Sequence, residues 1–116
     1  MSPKRRDRVA PPPVGDEWDV RFGTTEAAKD WPELEKQAAT NVRDAFELMR
    51  SNPRPPEDTR HKRLRGELAF RDHGGRRLEQ WQIEVTSGGR IFYLVDDVER
   101  TVWVVYASCR HPKKTE

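Results

Sequence analysis

The stretch from Leu78 to His111 constrains the fold most, because it predicts three antiparallel strands joined by two short turns. Its first run alternates between apolar and polar residues, as a strand does when one face is buried and the other is solvated. Gly88 and Gly89 favour a tight turn, and the runs 90–95 and 101–107 are almost wholly apolar. The apolar set of the first run is Trp81, Ile83 and Val85, and its polar set is Gln80, Gln82 and Glu84.

The residues before this meander predict one more strand and a pair of helices. The run 17–22 alternates and is expected to add a short strand to the edge of the meander. Apolar residues at helical spacing follow, with Thr24 or Thr25 as the first cap and Thr40 or Asn41 as the second. The predicted fold class is therefore α+β: an N-terminal strand, an αα-hairpin with Trp31 and Phe46 in the core, and an antiparallel three-stranded meander, all in one curved sheet.

Composition divides the chain into a tail and one domain. Residues 1–16 are basic and proline-rich, which predicts a flexible tail, and residues 17–116 are expected to form a single domain. Between helices and meander, the run 61–70 fits either an irregular strand or a short turn, and 71–77 is expected to be a loop tip. The single cysteine excludes an internal disulfide and fits a reducing cytoplasm, and no apolar run has the length of a membrane span.

The distribution of charge indicates a polyanion as partner, although the net charge is only +2. Between residues 60 and 77, seven basic residues face two acidic ones, a local excess of five. A solvated, arginine-rich loop is the alternative interpretation. The acidic residues are Glu67 and Asp72, and the basic ones are Arg60, Lys62, Arg63, Arg65, Arg71, Arg76 and Arg77.

Antiparallel pairing is expected to bring a basic cluster together at one edge of the sheet. Arg90 opens the second strand, while Arg110 and His111 follow the third, with Lys113 and Lys114 behind them. Such a cluster can bind a phosphodiester and stabilise the charge that develops on it during attack.

Within that cluster, two groups are candidates for proton transfer. His111 titrates near neutral pH, and Glu84 lies on the predicted solvated face, where it can act as a base. In the alternative, Arg90 only pairs with Asp96, Asp97 or Glu84 as an ordinary surface charge. The sequence contains no phosphate loop, nucleophile elbow or paired-cysteine motif, so neither a metal nor a cofactor is expected.

Over residues 18–114 the order of elements resembles the RelE/ParE superfamily of toxins from type II toxin–antitoxin modules. Three segments carry the resemblance: Arg63-Leu64-Arg65-Gly66, which resembles the turn before the family's sheet, the run 89–97 (GRIFYLVDD), and the run 104–111. In the RelE branch, the family cleaves mRNA in the ribosomal A site, without metal, by attack of a ribose 2′-hydroxyl on the next phosphate.

The resemblance implies a cytoplasmic mRNA endonuclease whose partners are the ribosome, mRNA and a cognate antitoxin, in a toxin–antitoxin hetero-oligomer. It assigns phosphate stabilisation to Arg90 and the charged position after the last strand to Arg110 or His111. Two departures are Gln82 and Glu84, where relatives often have lysines, and the absence of a terminal aromatic residue. Two alternatives remain open: a ParE-like inhibitor of DNA gyrase without nuclease activity, and a non-toxic RNA-binding domain.

Overall fold

The computed structural model describes residues 3–109, and this part of the chain forms two helices and six strands in an α+β arrangement. No helix in this range combines the length and the apolar character needed to cross a bilayer. The elements are β1 (Asp19–Phe22), α1 (Thr25–Gln37), α2 (Ala39–Ser51), β2 (His61–Arg63), a 3₁₀ turn (Gly66–Leu68), β3 (Phe70–His73), β4 (Arg76–Glu84), β5 (Arg90–Asp96) and β6 (Thr101–Ser108).

The strands form one mixed sheet in the order β1-β6-β5-β4-β2, with β3 paired to the first half of β4. β1 runs parallel to β6, and the other pairs are antiparallel. The predicted αα-hairpin, three-stranded meander and edge strand are confirmed. The expected number of strands is wrong, because β2 and β3 add two strands that the sequence pattern did not resolve.

The β3–β4 hairpin replaces the loop tip predicted for residues 71–77. Gly74 and Gly75 have φ angles of 58° and 80°, which together make a tight turn whose twist matches that of the flanking strands. His73 therefore pairs directly with Arg76 across the turn. These strands could not be recognised from the sequence, because their residues are mostly polar and lack the alternation that marks a half-buried strand.

The helices begin and pack largely as their periodicity predicts. The Thr24 hydroxyl accepts the Ala27 N–H (3.0 Å) and donates to the Val105 carbonyl (3.0 Å), which fixes the start of α1 against β6. The predicted cap of α2 is wrong: α2 starts at Ala39 without a side-chain cap, and Asn41 instead donates to the Val85 carbonyl at 2.7 Å. Both helices bury an apolar stripe against the sheet, with Trp31 and Phe46 in the core as predicted.

The opposite face of the sheet, here called the helix-free face, is also largely covered. The predicted solvated position of Gln80 and Gln82 is wrong, because these side chains are only 3% and 6% exposed. The chain from β2 to β3 crosses this face, and Gln80 donates to the Leu68 carbonyl at 2.8 Å. A second apolar cluster results, formed by Leu64, Phe92, Leu94, Trp103 and Val105.

An irregularity in β6 shapes the helix-free face. Phe92 pairs with Tyr106, whereas the next residue, Tyr93, pairs with Val104, so Val105 is an extra residue in β6. Such a bulge bends its strand and turns a side chain toward the other face. Both Val105 and Tyr106 consequently pack with the apolar cluster of the helix-free face.

Part of the N-terminal segment, which composition predicts to be a flexible tail, makes backbone hydrogen bonds to β1. The Arg6 and Val9 amides donate to the Phe22 and Val20 carbonyls, and the Phe22 amide donates to the Asp7 carbonyl, at 2.8–3.0 Å. These bonds align residues 6–9 with the outer edge of β1, whose backbone groups would otherwise face solvent.

Candidate functional site

Two adjacent rows of side chains lie on the helix-free face where β5 begins, and we call them the Arg90 end. In the first row, Arg90 stands between Glu84 of β4 and Ser108 of β6. The second row crosses four strands, which span about 14 Å at the usual strand spacing. Its members, in register, are Tyr106, Phe92, Gln82 and Lys62.

The Arg90 guanidinium is buried, with the residue only 7% exposed, and it holds together the turn that precedes it. Its Nη1 donates to the carbonyls of Thr86 and Gly89 at 3.1 Å and to that of Ser87 at 3.4 Å. Its Nη2 lies 3.3 Å from the Glu84 carboxylate. Of the three predicted partners Asp96, Asp97 and Glu84, Arg90 therefore pairs with Glu84. The arginine is buried and holds the turn, so it is not an ordinary surface charge.

Two polar atoms at the Arg90 end lack a hydrogen-bond partner within the described part of the chain. They are Arg90 Nε and Gln82 Oε1, in adjacent rows, and both are buried. A buried polar group without a partner costs about 1–3 kcal/mol, so such groups tend to mark where water or a ligand completes the structure. One donor and one acceptor are thus left unsatisfied below the surface of these rows.

Glu84 is the accessible half of the ion pair. Its side chain is 29% exposed, whereas that of Arg90 is 8% exposed. The backbone of Glu84 is fixed on both sides, since its amide donates to the Arg60 carbonyl at 2.7 Å and its residue pairs with Arg90. A carboxylate held in this way, with open access, is suited to accept a proton from a bound ligand.

An aromatic pair and a lysine complete the surface. The rings of Phe92 and Tyr106 lie 4.9 Å apart, and Tyr106 is the more exposed of the two. Lys62 lies in the same row on the far side of Gln82, with an exposed side chain. Proteins that bind single-stranded nucleic acid use this combination: bases stack on aromatic rings, and cations hold the phosphates.

Of the basic residues in the run 60–77, Lys62 belongs to the Arg90 end, and the backbone of Arg60 is bonded to that of Glu84. The others lie elsewhere, because β2 and β3 carry them along the length of the sheet. Arg65 pairs with Glu57 at 3.3 Å, and Arg76 binds Asp96 at the far end of β5. Arg63 and Arg77 place their guanidinium groups about 5 Å from the ring of Phe70.

Four of the predicted site residues lie outside the described residues 3–109: Arg110, His111, Lys113 and Lys114. Their part in the predicted corner stays a prediction. Ser108, the last residue of β6, pairs with Arg90, so the chain leaves β6 at the Arg90 end.

His61 is a buried residue that the sequence did not single out. Tyr93 donates its hydroxyl proton to the Pro53 carbonyl (2.6 Å), so His61 Nε2–H must donate to the Tyr93 oxygen, which leaves Nδ1 unprotonated and without a partner. Burial lowers the pKa of His61 to about 4, although the nearby Asp58 carboxylate raises it. The ring is therefore neutral at pH 7 and ties β2 to β5 and to the connector after α2.

No three histidine, cysteine or acidic side chains among residues 3–109 are arranged to hold a metal ion. The polar groups of the Arg90 end are the Glu84 carboxylate, the Gln82 amide, two hydroxyls and two cations, Arg90 and Lys62.

Compared with family models, curated proteins and solved structures, the chain shows no match.

Proposed function

We propose that this protein is a toxin of the RelE/ParE type, a ribosome-dependent endonuclease that cleaves mRNA without a metal. The observation that carries the proposal is the pair of rows at the Arg90 end. They combine an accessible carboxylate, a partly exposed tyrosine ring and an exposed lysine on one face of the sheet. The order of strand, αα-hairpin and meander supports the RelE-like arrangement.

The chemistry follows from which groups an RNA strand can reach. Tyr106 stacks on a base, and Lys62 holds a backbone phosphate. Glu84 accepts the proton of a ribose 2′-hydroxyl as that oxygen bonds to the adjacent phosphorus. The bond from phosphorus to the 5′-oxygen then breaks, and the leaving oxygen takes a proton from His111. The products are a 2′,3′-cyclic phosphate and a 5′-hydroxyl.

Arg90 has a different role from the one that the resemblance implies. Because its guanidinium is buried under the turn and bound to three carbonyls, it acts here as a positioning residue that holds Glu84. The charge that develops on the phosphate is stabilised by Lys62 and by Arg110, which directly follows the last described residue of the chain. An antitoxin segment laid over these rows would block RNA access.

Induced expression in bacteria tests the proposal, with the cleavage positions on cellular mRNA mapped by primer extension. The wild-type protein is expected to stop growth and to cut mRNA within codons in the ribosomal A site. Lys62→Glu should reduce cutting at least tenfold, whereas Lys36→Glu, the same charge change on α1, should leave it unchanged. Growth arrest with uncut mRNA rejects the nuclease.

A ParE-like inhibitor of DNA gyrase is the second candidate. It is favoured by the buried state of Arg90 and by Gln82 and Glu84, which leave these rows with fewer cations than a nuclease of this type is expected to have. Supercoiling by purified gyrase distinguishes the candidates. Inhibition of supercoiling without cleavage of ribosome-bound mRNA would support this candidate over the first.

A further inference from the structure

A cavity lies at the opposite end of β5, beneath the tip of the β3–β4 hairpin, about 20 Å from Arg90 by strand rise. Its volume is about 560 Å³, within the range of small-molecule sites. Four parts of the chain line it: the N-terminal segment, the junction of β1 and α1, the β3–β4 hairpin, and the β5–β6 turn with β6. Each part contributes polar or basic residues, among them Arg5, Arg6, Thr24, Arg71 and His73.

Three arginines of this cavity are uncommitted. Arg5, Arg6 and Arg71 line it, and their side chains form no ion pair with any residue in the range 3–109. Two carboxylates, Asp72 and Glu99, also line the cavity. These three arginines and two carboxylates leave one net positive charge, and the guanidinium groups come from two segments: Arg5 and Arg6 from the N-terminal segment and Arg71 from the β3–β4 hairpin.

The floor of the cavity is a rigid network around Asp96, which is fully buried. Arg76 binds both carboxylate oxygens at 2.7 and 2.8 Å, Trp103 Nε1–H donates at 3.1 Å, and so does the Glu99 amide. Burial pushes the pKa of Asp96 upward, but these hydrogen bonds and the charge of Arg76 outweigh it and hold the pKa below its usual range. The Arg76 charge is therefore already neutralised, and the three uncommitted arginines remain for a ligand.

An aromatic wall borders the cavity. The ring of His73 lies 4.5 Å from that of Trp103, between the ring of Trp103 and the hairpin tip. Burial lowers the pKa of His73; Asp96 raises it, and the charges of Arg6, Arg71 and Arg76 lower it further. His73 is thus a neutral planar ring at pH 7, a surface on which a base can stack.

The backbone of Arg6 is held in an unusual conformation beside the cavity. Its φ is +78°, in a region that costs a non-glycine residue of order 1 kcal/mol or more. Hydrogen bonds from its amide to the Phe22 carbonyl and from Arg21 to its own carbonyl, both 2.8 Å, keep it there. Arg5 and Arg6 both line the cavity in this arrangement.

We propose that this cavity binds the phosphate of a nucleotide, with Arg5, Arg6 and Arg71 on the phosphate and His73 beside the base. The space exceeds what an inorganic phosphate fills, and the aromatic wall gives a base a surface to contact. The nucleotide is either free or the 5′-phosphorylated end of an RNA strand. The proposal does not depend on the nuclease function, because it uses no residue of the Arg90 end.

Isothermal titration calorimetry of the full chain tests the site with AMP, adenosine, inorganic phosphate and an RNA tetramer with or without a 5′-phosphate. We expect saturable binding of AMP or of the phosphorylated tetramer, and none of adenosine. Binding of AMP marks the free nucleotide as the source, and binding of the phosphorylated tetramer alone marks RNA. The proposal is overturned if neither binds, or if inorganic phosphate binds as tightly as the nucleotide.

Two variants locate the binding. Arg71→Glu is expected to weaken it at least tenfold, and Lys36→Glu, on α1, should not change it, while circular dichroism checks that both variants fold. Equal affinity of the two variants would overturn the assignment. In NMR titrations, the bound anion should raise the pKa of His73 by offsetting the arginines; an unchanged pKa would place the ligand elsewhere. None of these experiments measures ribosome-dependent cleavage, so the nucleotide site and the nuclease function can each be rejected independently of the other.

Discussion

The two ends of β5 carry the same kind of ion pair with the burial reversed. At its first residue, Arg90 is buried and its partner Glu84 is 29% exposed; at its last, Asp96 is buried and its partner Arg76 is 35% exposed. One end therefore offers solvent a carboxylate, and the other offers guanidinium groups. The difference indicates that the Arg90 end is suited to accept a proton, and the Asp96 end to hold an anion.

Removal of the buried carboxylate should have the largest effect on stability. Asp96→Ala leaves Arg76, Trp103 and the Glu99 amide without their acceptor, which should cost about 3–5 kcal/mol of unfolding free energy. Urea denaturation measures this cost. The control is Asp97→Ala, whose carboxylate is exposed and pairs with Arg54, with an expected loss within about 1 kcal/mol. Similar losses in both variants would contradict the central role of Asp96.

Lowering the pH should destabilise the sheet near the Arg90 end, because His61 lies there on the helix side, in register with Ile83. The pKa of His61 is about 4 in the folded protein and about 6.5 when unfolded, so the unfolded chain binds more protons between these values. The contribution of neutral His61 is complete above pH 6.5 and is lost as pH falls to 4, by up to about 3 kcal/mol.

Urea denaturation across pH 7 to 4 measures the loss, with His61→Gln as the comparison. The variant removes the titrating ring, so its stability should fall less steeply over this range. Parallel pH profiles of the two proteins would show that His61 does not cause the loss.

Truncation of the buried arginine should have an intermediate effect. Arg90→Ala leaves Glu84 and the turn carbonyls without their donor, and we expect a loss of about 2 kcal/mol. Arg77→Ala removes an exposed arginine whose described contact is the Phe70 ring, and its loss should stay within about 0.5–1 kcal/mol. If Arg90→Ala proves as stable as Arg77→Ala, the turn is not held by this side chain.

The smallest effect concerns the hairpin tip over the Asp96 end. Gly75 has a φ of 80°, so Gly75→Ala should cost about 1 kcal/mol through backbone strain alone, because a new Cβ meets no atom within 4 Å. Ser87→Ala in the other turn should be near neutral, since its carbonyl and not its side chain binds Arg90. Thermal denaturation compares the two, and an unchanged Tm for Gly75→Ala would argue against this turn conformation.

Periodicity was sufficient to predict the elements that bury one clear stripe or face. The meander, the edge strand and the αα-hairpin follow from alternation and from helical spacing, and they are confirmed. β2 and β3 were not resolved because they are short and polar: the run 61–70 fitted either an irregular strand or a short turn, and 71–77 was expected to be a loop tip. Their segment buries the other face of the sheet. Gln82 looked solvated for the same reason, since no local pattern reveals that a distant segment crosses the strand.

The candidate site was predicted only in part. Register alone places Arg90 beside Glu84, as antiparallel pairing of the two strands implies. Sequence could not show that the carbonyls of residues 86, 87 and 89 bind the guanidinium, because backbone acceptors have no signature in side-chain pattern. The cavity at the Asp96 end could not be predicted, because its lining comes from segments far apart in the chain, and the sequence shows only that some of these segments are basic.

The most direct test of the central claim, that the Arg90 end promotes attack of a 2′-hydroxyl on ribosome-bound mRNA, is a cleavage assay with purified ribosomes. Two mRNAs are compared, one all-ribose and one with a single 2′-deoxy nucleotide on the 5′ side of the cleavage position in the A-site codon. We predict that the wild-type protein cuts the first mRNA, leaving a 2′,3′-cyclic phosphate, and spares the second. Equal cutting of both, or of neither, would contradict the account.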